Sequence, residues 1–492
     1  MSIHAAKRLL VGQWLFPATN WLLNRKGIRR NYRALLQTDT ASEALLADLQ
    51  LHRVRRVLAH ARRWCPFYAE RLRDAGIDPQ HIRNLEDLRN IPPLSRVDLM
   101  DHRNELVDRR LQAALAAANR QQRPPGQPIP FAAFRQERLV RNTSTGSTGE
   151  PVVFYEDGST TARSWSHELR LKHWFGLAPG EREARFARVS TEYVARSKAL
   201  RARRLLWNQL VLPGMNLAKE DYASCLDALR TFRPRILFGI TTALTGFARY
   251  LNGLGAKCEE VAPQLVITWA APLYDHERAL LEETFGCRAS NIYGSREVGH
   301  VASRCPAGGL HVHQEDYYVE IEHDAAHSDA HGAGQILITP LFPTPMPLVR
   351  YRIGDVGTLA GSHCLCGRKH VLLGDLLGRT AEVFVTRQGR VIPPNFWCRA
   401  FMGDAGSDHV EQFQVVLESD DAIRFRVVRR PNYSERTEGD LRSYLFAQLD
   451  NELSLTFEYV AHIPAQPSGK YQMVVDRRSP SYVPYRCATS AP

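Results

Sequence analysis

Between Asn142 and Pro151 the chain reads Asn142-Thr143-Ser144-Thr145-Gly146-Ser147-Thr148-Gly149-Glu150-Pro151, a crowd of hydroxyl side chains around two glycines. Glycine lets successive backbone N–H groups turn toward one point, and hydroxyls can donate to the same point. That combination suits a polyphosphate, although a flexible linker would have a similar composition. It is not a Walker loop, because the Gly-Lys-Ser/Thr ending is missing. The β-branched and aromatic run Val152-Val153-Phe154-Tyr155 follows directly and reads as a strand.

At 492 residues the chain has room for two or three domains and a large core. Hydrophobic residues at 44% and charged residues at 24% describe an ordinary soluble globular protein. A net charge of +12 raises the question of nucleic acid. The arginines are scattered, however, with short clusters at Arg201-Ala202-Arg203-Arg204 and Arg424 to Arg430, and no nucleic-acid motif accompanies them. Attraction to small phosphorylated molecules or to an acidic partner explains the sign as well, so no nucleic-acid partner is expected. Nine unevenly spaced cysteines and no signal peptide point to a reduced, cytoplasmic chain. Leu9 to Phe16 is apolar but is interrupted by Pro17 and too short to span a bilayer. A core or homodimer-contact helix is expected there, with peripheral membrane contact as the alternative.

Leucines and valines between Leu45 and Leu58 recur at near-helical spacing, and residues 40–120 read as helices. From 150 to 350 strand-like runs such as Arg235 to Gly239 and Gln264 to Trp269 alternate with helical patterns such as Thr241 to Leu251. That alternation predicts an α/β fold with mixed sheet content. A boundary is expected near Gly378-Arg379, giving a large domain over 1–378 and a smaller α+β unit over 379–492. In the latter, Gln412 to Leu417 and Ala422 to Val428 read as strands and Gly439 to Leu453 as an amphipathic helix.

Three further elements follow the loop in order: Tyr293-Gly294-Ser295-Arg296-Glu297, Pro347-Leu348-Val349-Arg350-Tyr351-Arg352-Ile353-Gly354-Asp355, and Pro467-Ser468-Gly469-Lys470. With the loop, they resemble the adenylate-forming superfamily of acyl-CoA synthetases, and within it the phenylacetate–CoA ligase and capsule-biosynthesis (CapK-like) branch. The resemblance runs from about residue 40 to about 478. It implies a large N-terminal adenylate-forming domain, a small mobile C-terminal lid, and AMP-forming ligation of a carboxylic acid to a thiol. ATP, Mg²⁺ and CoA are the implied cofactors. The acid is aromatic or arylacetic by the same analogy, with an acyl-carrier protein as the second candidate acceptor.

Carboxylate activation brings one anion against the α-phosphate of another, so donors, a metal and a cation are needed around the reacting centre. The resemblance gives the phosphate loop to Ser144, Thr145, Gly146, Ser147, Thr148 and Gly149. Relatives often carry Lys where Glu150 stands. Tyr293 and Gly294 belong to the motif whose aromatic ring stacks on adenine, and Glu297 would hold Mg²⁺, since a hard cation prefers carboxylate oxygen. Arg296 replaces a usual Thr and could contact phosphate directly. Asp355 would accept from the ribose hydroxyls, and Arg379 resembles the hinge-proximal arginine that also approaches the ribose. The acid expected beside Arg379 is displaced to Glu382. Thr268 to Leu273 occupies the adenine-wall position, with Ala271 unable to bond adenine through its side chain. Lys470, one of only eight lysines against 56 arginines, corresponds to the adenylation lysine of the lid.

Cys305, His311, Cys364 and Cys366 form a second signal, because thiolates and imidazole suit tetrahedral Zn²⁺. His313, His363 and His370 compete as ligands, and four protein ligands would make the ion structural. Two other readings stay open. One is an adenylating enzyme with a non-thiol acceptor, and the other is a degenerate nucleotide-binding scaffold, which Glu150, Arg296 and Ala271 would suit.

Overall fold

The structure is a computed structural model that describes the chain except for residues 1–2, 23–26, 113–139, 145–151, 188, 190–193, 195, 215–216, 218, 256–260, 324–331, 380–383, 386–390, 393–395, 398–399, 405–408, 420–421, 450–452, 465–471 and 479–492. Strands β1 (Val140–Ser144) and β2 (Val152–Glu156) pair antiparallel, so residues 145–151 connect two paired strands. Ser144, expected in the loop, ends the first of them.

Five strands form the parallel half of the main sheet: β3 (Glu183–Ala187), β4 (Gln209–Pro213), β5 (Ile236–Ile240), β6 (Leu265–Trp269) and β7 (Arg288–Ser295), in the order β4-β3-β5-β6-β7. Helices Lys219–Phe232, Thr241–Gly253 and Asp275–Phe285 lie between successive strands from β4 to β7. Ile236 to Ile240 is buried at every position, as a strand covered on both faces requires.

Across β7 the pairing reverses. It runs parallel to β6 but antiparallel to β8 (Gly299–Arg304). The sheet continues antiparallel through β9 (Leu310–Val312), β10 (Tyr317–Glu322), β11 (Gly334–Pro340), β12 (Tyr351–Leu359) and β13 (Leu372–Arg379), in the order β8-β9-β13-β12-β11-β10. The carboxyl ends of parallel strands, at the point where a sheet changes its pattern, form the usual ligand crevice of open α/β folds.

After the short pair β14 (Phe384–Val385) and β15 (Val391–Ile392) come β16 (Val410–Ser419), β17 (Ala422–Arg429), β18 (Ser454–Tyr459) and β19 (Val474–Asp476), a separate sheet of order β18-β17-β16-β19. This C-terminal sheet has its own core around Trp397, Phe401, Phe413, Phe425, Leu441 and Val474. Its helix is Glu435–Gln448 rather than 439–453. Ser434 caps it four residues early, with its hydroxyl accepting from the Thr437 N–H.

Helices Glu43–Trp64 and Pro66–Asp74 pack on the antiparallel half through Val54, Leu58, Tyr68 and Leu72. The fully buried Tyr68 hydroxyl donates to the Pro347 carbonyl (3.0 Å) and accepts from the Val349 N–H (2.9 Å), which fixes the approach to β12. Tyr68→Phe leaves both backbone groups unpaired. A loss of about 1–3 kcal/mol in chemical denaturation is the expected outcome, and a change within error would rule out this anchoring role.

Candidate nucleotide site

Tyr293, near the carboxyl end of β7, is buried, and its Oη donates to Asp355 Oδ2 on β12 at 2.8 Å. Asp355 pairs in register with Arg379 at the end of β13, whose Nη1 donates to Asp355 Oδ1 at 3.2 Å. Three residues separated by up to 86 positions thus form one chain, Tyr293–Asp355–Arg379. Burial, with Asp355 alongside, holds the Tyr293 phenol well above its usual pKa, so it stays a donor.

Beyond Tyr293 the strand bulges at Gly294 and turns back into β8. A Cβ on Gly294 would lie 2.0 Å from the Gly299 carbonyl oxygen, so only glycine allows this tight return. The turn presents Arg296 exposed and Glu297 half-buried. Arg296 Nη1 donates to the Thr143 carbonyl at 2.8 Å, which ties the turn to β1 just before residues 145–149. The sequence suggested a phosphate contact for this guanidinium, whereas here it contacts backbone.

Glu297 lines a shallow cleft with Phe154, Glu156, Phe342, Met346 and Leu348. Burial pushes the Glu156 carboxyl up to about 8; Asn142, donating at 2.9 Å, opposes this, while Asp157 and Glu297 add to it. Sequence reasoning missed Glu156, because a single acid at a strand end carries no motif.

The adenine-wall segment follows β6. Ala270 is held at φ +70°, and the Ala271 carbonyl accepts from Thr241 Oγ1 (3.1 Å) and Asn291 Nδ2 (3.4 Å). Its shape is therefore set by main chain and by two buried polar residues that the sequence did not single out.

The ligand atoms of Cys305, His311, Cys364 and Cys366 all lie within 4.8 Å of one another. Cys305 Sγ is 3.6 Å from Cys364 Sγ, and Cys366 Sγ is 3.1 Å from His311 Nε2. Corners of a tetrahedral zinc site with thiolate and imidazole ligands are ~3.5–3.8 Å apart, so the set fits such an ion. His311 Nδ1 faces the His370 carbonyl at 3.4 Å, leaving Nε2 for the cluster. Gly309 permits the approach, since a Cβ there would sit 2.8 Å from Cys364 Sγ. The competing histidines are placed elsewhere: His313 bonds Ser303 Oγ, His370 Nε2 bonds Glu315 Oε1 (2.9 Å), and His363 is exposed.

Residues 384–477 match the CapK C-terminal domain. Over 387 residues the chain is 27% identical to the phenylacetate-coenzyme A ligase of Thermus thermophilus, covering 73% of this chain and 75% of that one. Protein CapK of Staphylococcus aureus is 22% identical over 349 residues, covering 70% and 75% respectively. The chain is thus similar to phenylacetate-coenzyme A ligases and to Protein CapK over about 70% of its length, and its C-terminal part to the CapK C-terminal domain. Among solved structures, 2-hydroxyisobutyryl-CoA ligase in its postadenylation state shares the fold, with a TM-score of 0.68 at 18% identity over 90% of this chain and 92% of that one.

Of the expected residues, Tyr293, Asp355 and Arg379 are joined by hydrogen bonds, and Glu297 stands in the turn between β7 and β8. Thr145, Gly146, Ser147, Thr148, Gly149 and Lys470 lie outside the described residues, as does Glu382.

The raised pKa of Glu156 has a pH signature. Folding lifts this carboxyl above its unfolded value, so its contribution to stability is full below the ordinary carboxylate range and is lost as pH rises through about 8. Melting temperature should therefore fall from pH 6 to 9 in the parent and fall less in Glu156→Gln. Parallel profiles would mean that Glu156 is already ionised.

Proposed function

We propose that this chain is an AMP-forming acid–thiol ligase. A carboxylate oxygen attacks the α-phosphorus of ATP, the bond to the bridging oxygen breaks, and pyrophosphate leaves. A thiolate then attacks the carbonyl carbon of the acyl-adenylate and AMP leaves with the electron pair. CoA is the acceptor that the relatives' names suggest, and an acyl-carrier protein is the alternative. An aromatic or arylacetic acid follows the phenylacetate relatives. The cytoplasm, where ATP and CoA occur, is the matching compartment.

The observation that carries this reading is the Tyr293–Asp355–Arg379 chain beside Glu297. Its three polar groups suit a nucleoside: an aromatic face for the base, and a carboxylate and guanidinium for the ribose. Asp355 accepts from the ribose hydroxyls in this reading, while Tyr293 and Arg379 hold its carboxylate in place. Glu297 would hold Mg²⁺, which neutralises polyphosphate charge when bound. Residues 144–149 supply donors to the leaving phosphates. Lys470 brings an ammonium from the lid to the reacting oxygens, and the lid then moves for the thiol step. The boundary between the domains is proposed near 378/379, at the end of β13. Cys305, His311, Cys364 and Cys366 would hold a structural Zn²⁺, with no position open for catalysis.

Acid-dependent ATP–pyrophosphate exchange across aryl, arylacetic and aliphatic acids tests the first half-reaction. Exchange should be lost by at least ~10²-fold in Lys470→Ala. Asp355→Ala should raise the KM for ATP about tenfold or more, as expected for a lost charged hydrogen bond. Bound ATP with no exchange for any acid, unaffected by Lys470→Ala, would favour the scaffold reading. Exchange without thiol-dependent AMP release would point to a non-thiol acceptor.

Metal analysis of the purified chain tests the cluster. About one zinc per chain is expected, with most of it lost, and the melting temperature lowered, in Cys364→Ser/Cys366→Ser. A metal-free parent as stable as a zinc-loaded sample would remove the ion from the account.

A further inference from the structure

Two segments of this chain are basic and free of acids. Residues 1–38 contain seven Lys or Arg and residues 193–219 contain six, with no Asp or Glu in either. Together they exceed the net charge of +12, so the rest of the chain is close to neutral.

The fold brings these distant segments side by side. Helix Ile3–Leu10 runs on through the turn Val11–Leu15 into helix Phe16–Leu22, and its inner face buries Val11, Phe16 and Asn20. The Trp207 ring, at the end of helix Lys198–Leu206, packs on Phe16 at 5.4 Å, and its Nε1 donates to Thr19 Oγ1 at 2.6 Å. Both segments also rest on one loop. Gly12 packs against Pro179, where a Cβ would lie 2.2 Å from the carbonyl oxygen, and Asn208 Nδ2 donates to the Gly180 carbonyl.

What the two segments present outward is apolar. Leu10 and Trp14, spaced i and i+4 on the outer face, are 52% and 69% exposed, and Leu205 is 68% exposed. Helix Lys198–Leu206 buries none of its residues, so packing against the body of the protein does not explain its leucines. Lys7, Lys198, Arg201 and Arg204, on the same two segments, are exposed as well.

We infer that this face docks peripherally on an anionic lipid surface. Exposed Trp and Leu between bases is the pattern of an element lying in a bilayer interface, where the apolar groups enter the headgroup boundary and the bases meet lipid phosphates. A second copy of the chain is a poorer occupant, because a two-fold contact would set these bases against their own copies. Nucleic acid would leave the exposed leucines in water. No described helix is long and apolar enough to cross a membrane, so the contact is superficial. The inference stands apart from the adenylation reading, which exchange assays test separately.

Flotation of the full chain with phosphatidylcholine vesicles, with and without phosphatidylglycerol, tests it. Binding is expected only with phosphatidylglycerol and should weaken as salt rises. Leu10→Gln/Trp14→Gln and, separately, Arg201→Gln/Arg204→Gln should each reduce partitioning about tenfold at the parent's melting temperature. Failure of the parent to float, equal binding to neutral vesicles, or unchanged binding by both variants would overturn the inference. So would a lipid-free dimer that Leu10→Gln/Trp14→Gln dissociates, or retention on a polynucleotide, if either occurred without vesicle binding.

Discussion

Arg170 is fully buried, and its guanidinium is committed to Glu315, at 2.6 Å, and to His313. Next to it Asp316 accepts from Arg53 (2.7 Å), Arg163 and His167 (3.0 Å). Desolvating so many charges is costly unless every partner is present, and losing one leaves the others buried and uncompensated. The segment His313 to Asp316 is therefore a fixed point where the N-terminal helices, helix Gly158–Trp174 and the main sheet meet. Its influence reaches both sites. His370, which bonds Glu315, offers its carbonyl to His311 of the cysteine cluster. Tyr317, the residue after Asp316, donates its hydroxyl to the Val298 carbonyl beside Glu297 (2.8 Å).

This network also marks how far the sequence could be read. Val152 to Tyr155, Ile236 to Gly239 and Leu265 to Trp269 were legible as strands because buried strands are written locally, in apolar and β-branched runs. Tyr293, Glu297 and Asp355 stood out through short motifs at the ends of such runs. Arg170 and Glu315 did not, because they meet across 145 positions and each alone looks like an ordinary surface charge. Arg296 shows a subtler limit. Its departure from the usual Thr was visible, but its partner is the backbone carbonyl of Thr143, and no sequence pattern encodes a carbonyl's direction.

The adenine-wall segment illustrates how a binding surface can lose its side-chain donors and keep its shape. Ala271 offers adenine no side-chain hydrogen bond, and Ala270 sits at a left-handed φ that disfavours any residue with a Cβ. Thr241 and Asn291 hold that conformation through the Ala271 carbonyl, and Asn291 also bonds Thr268 Oγ1 at 2.9 Å. A strained turn persists only when its surroundings over-determine it, as these bonds do. The course of the main chain here is therefore kept by Thr241 and Asn291, independently of the Ala271 side chain.

Location changes the meaning of the net charge. Read as a total, +12 suggested attraction to small phosphorylated molecules or to an acidic partner. Read along the chain, acid-free basic segments stand out, among them the N-terminal helices and helix Lys198–Leu206. Exposed charges are screened beyond about 8 Å at physiological salt, so these segments act on what comes directly against them. At the Tyr293–Asp355–Arg379 chain the charges are paired locally instead, with Arg379 held against Asp355.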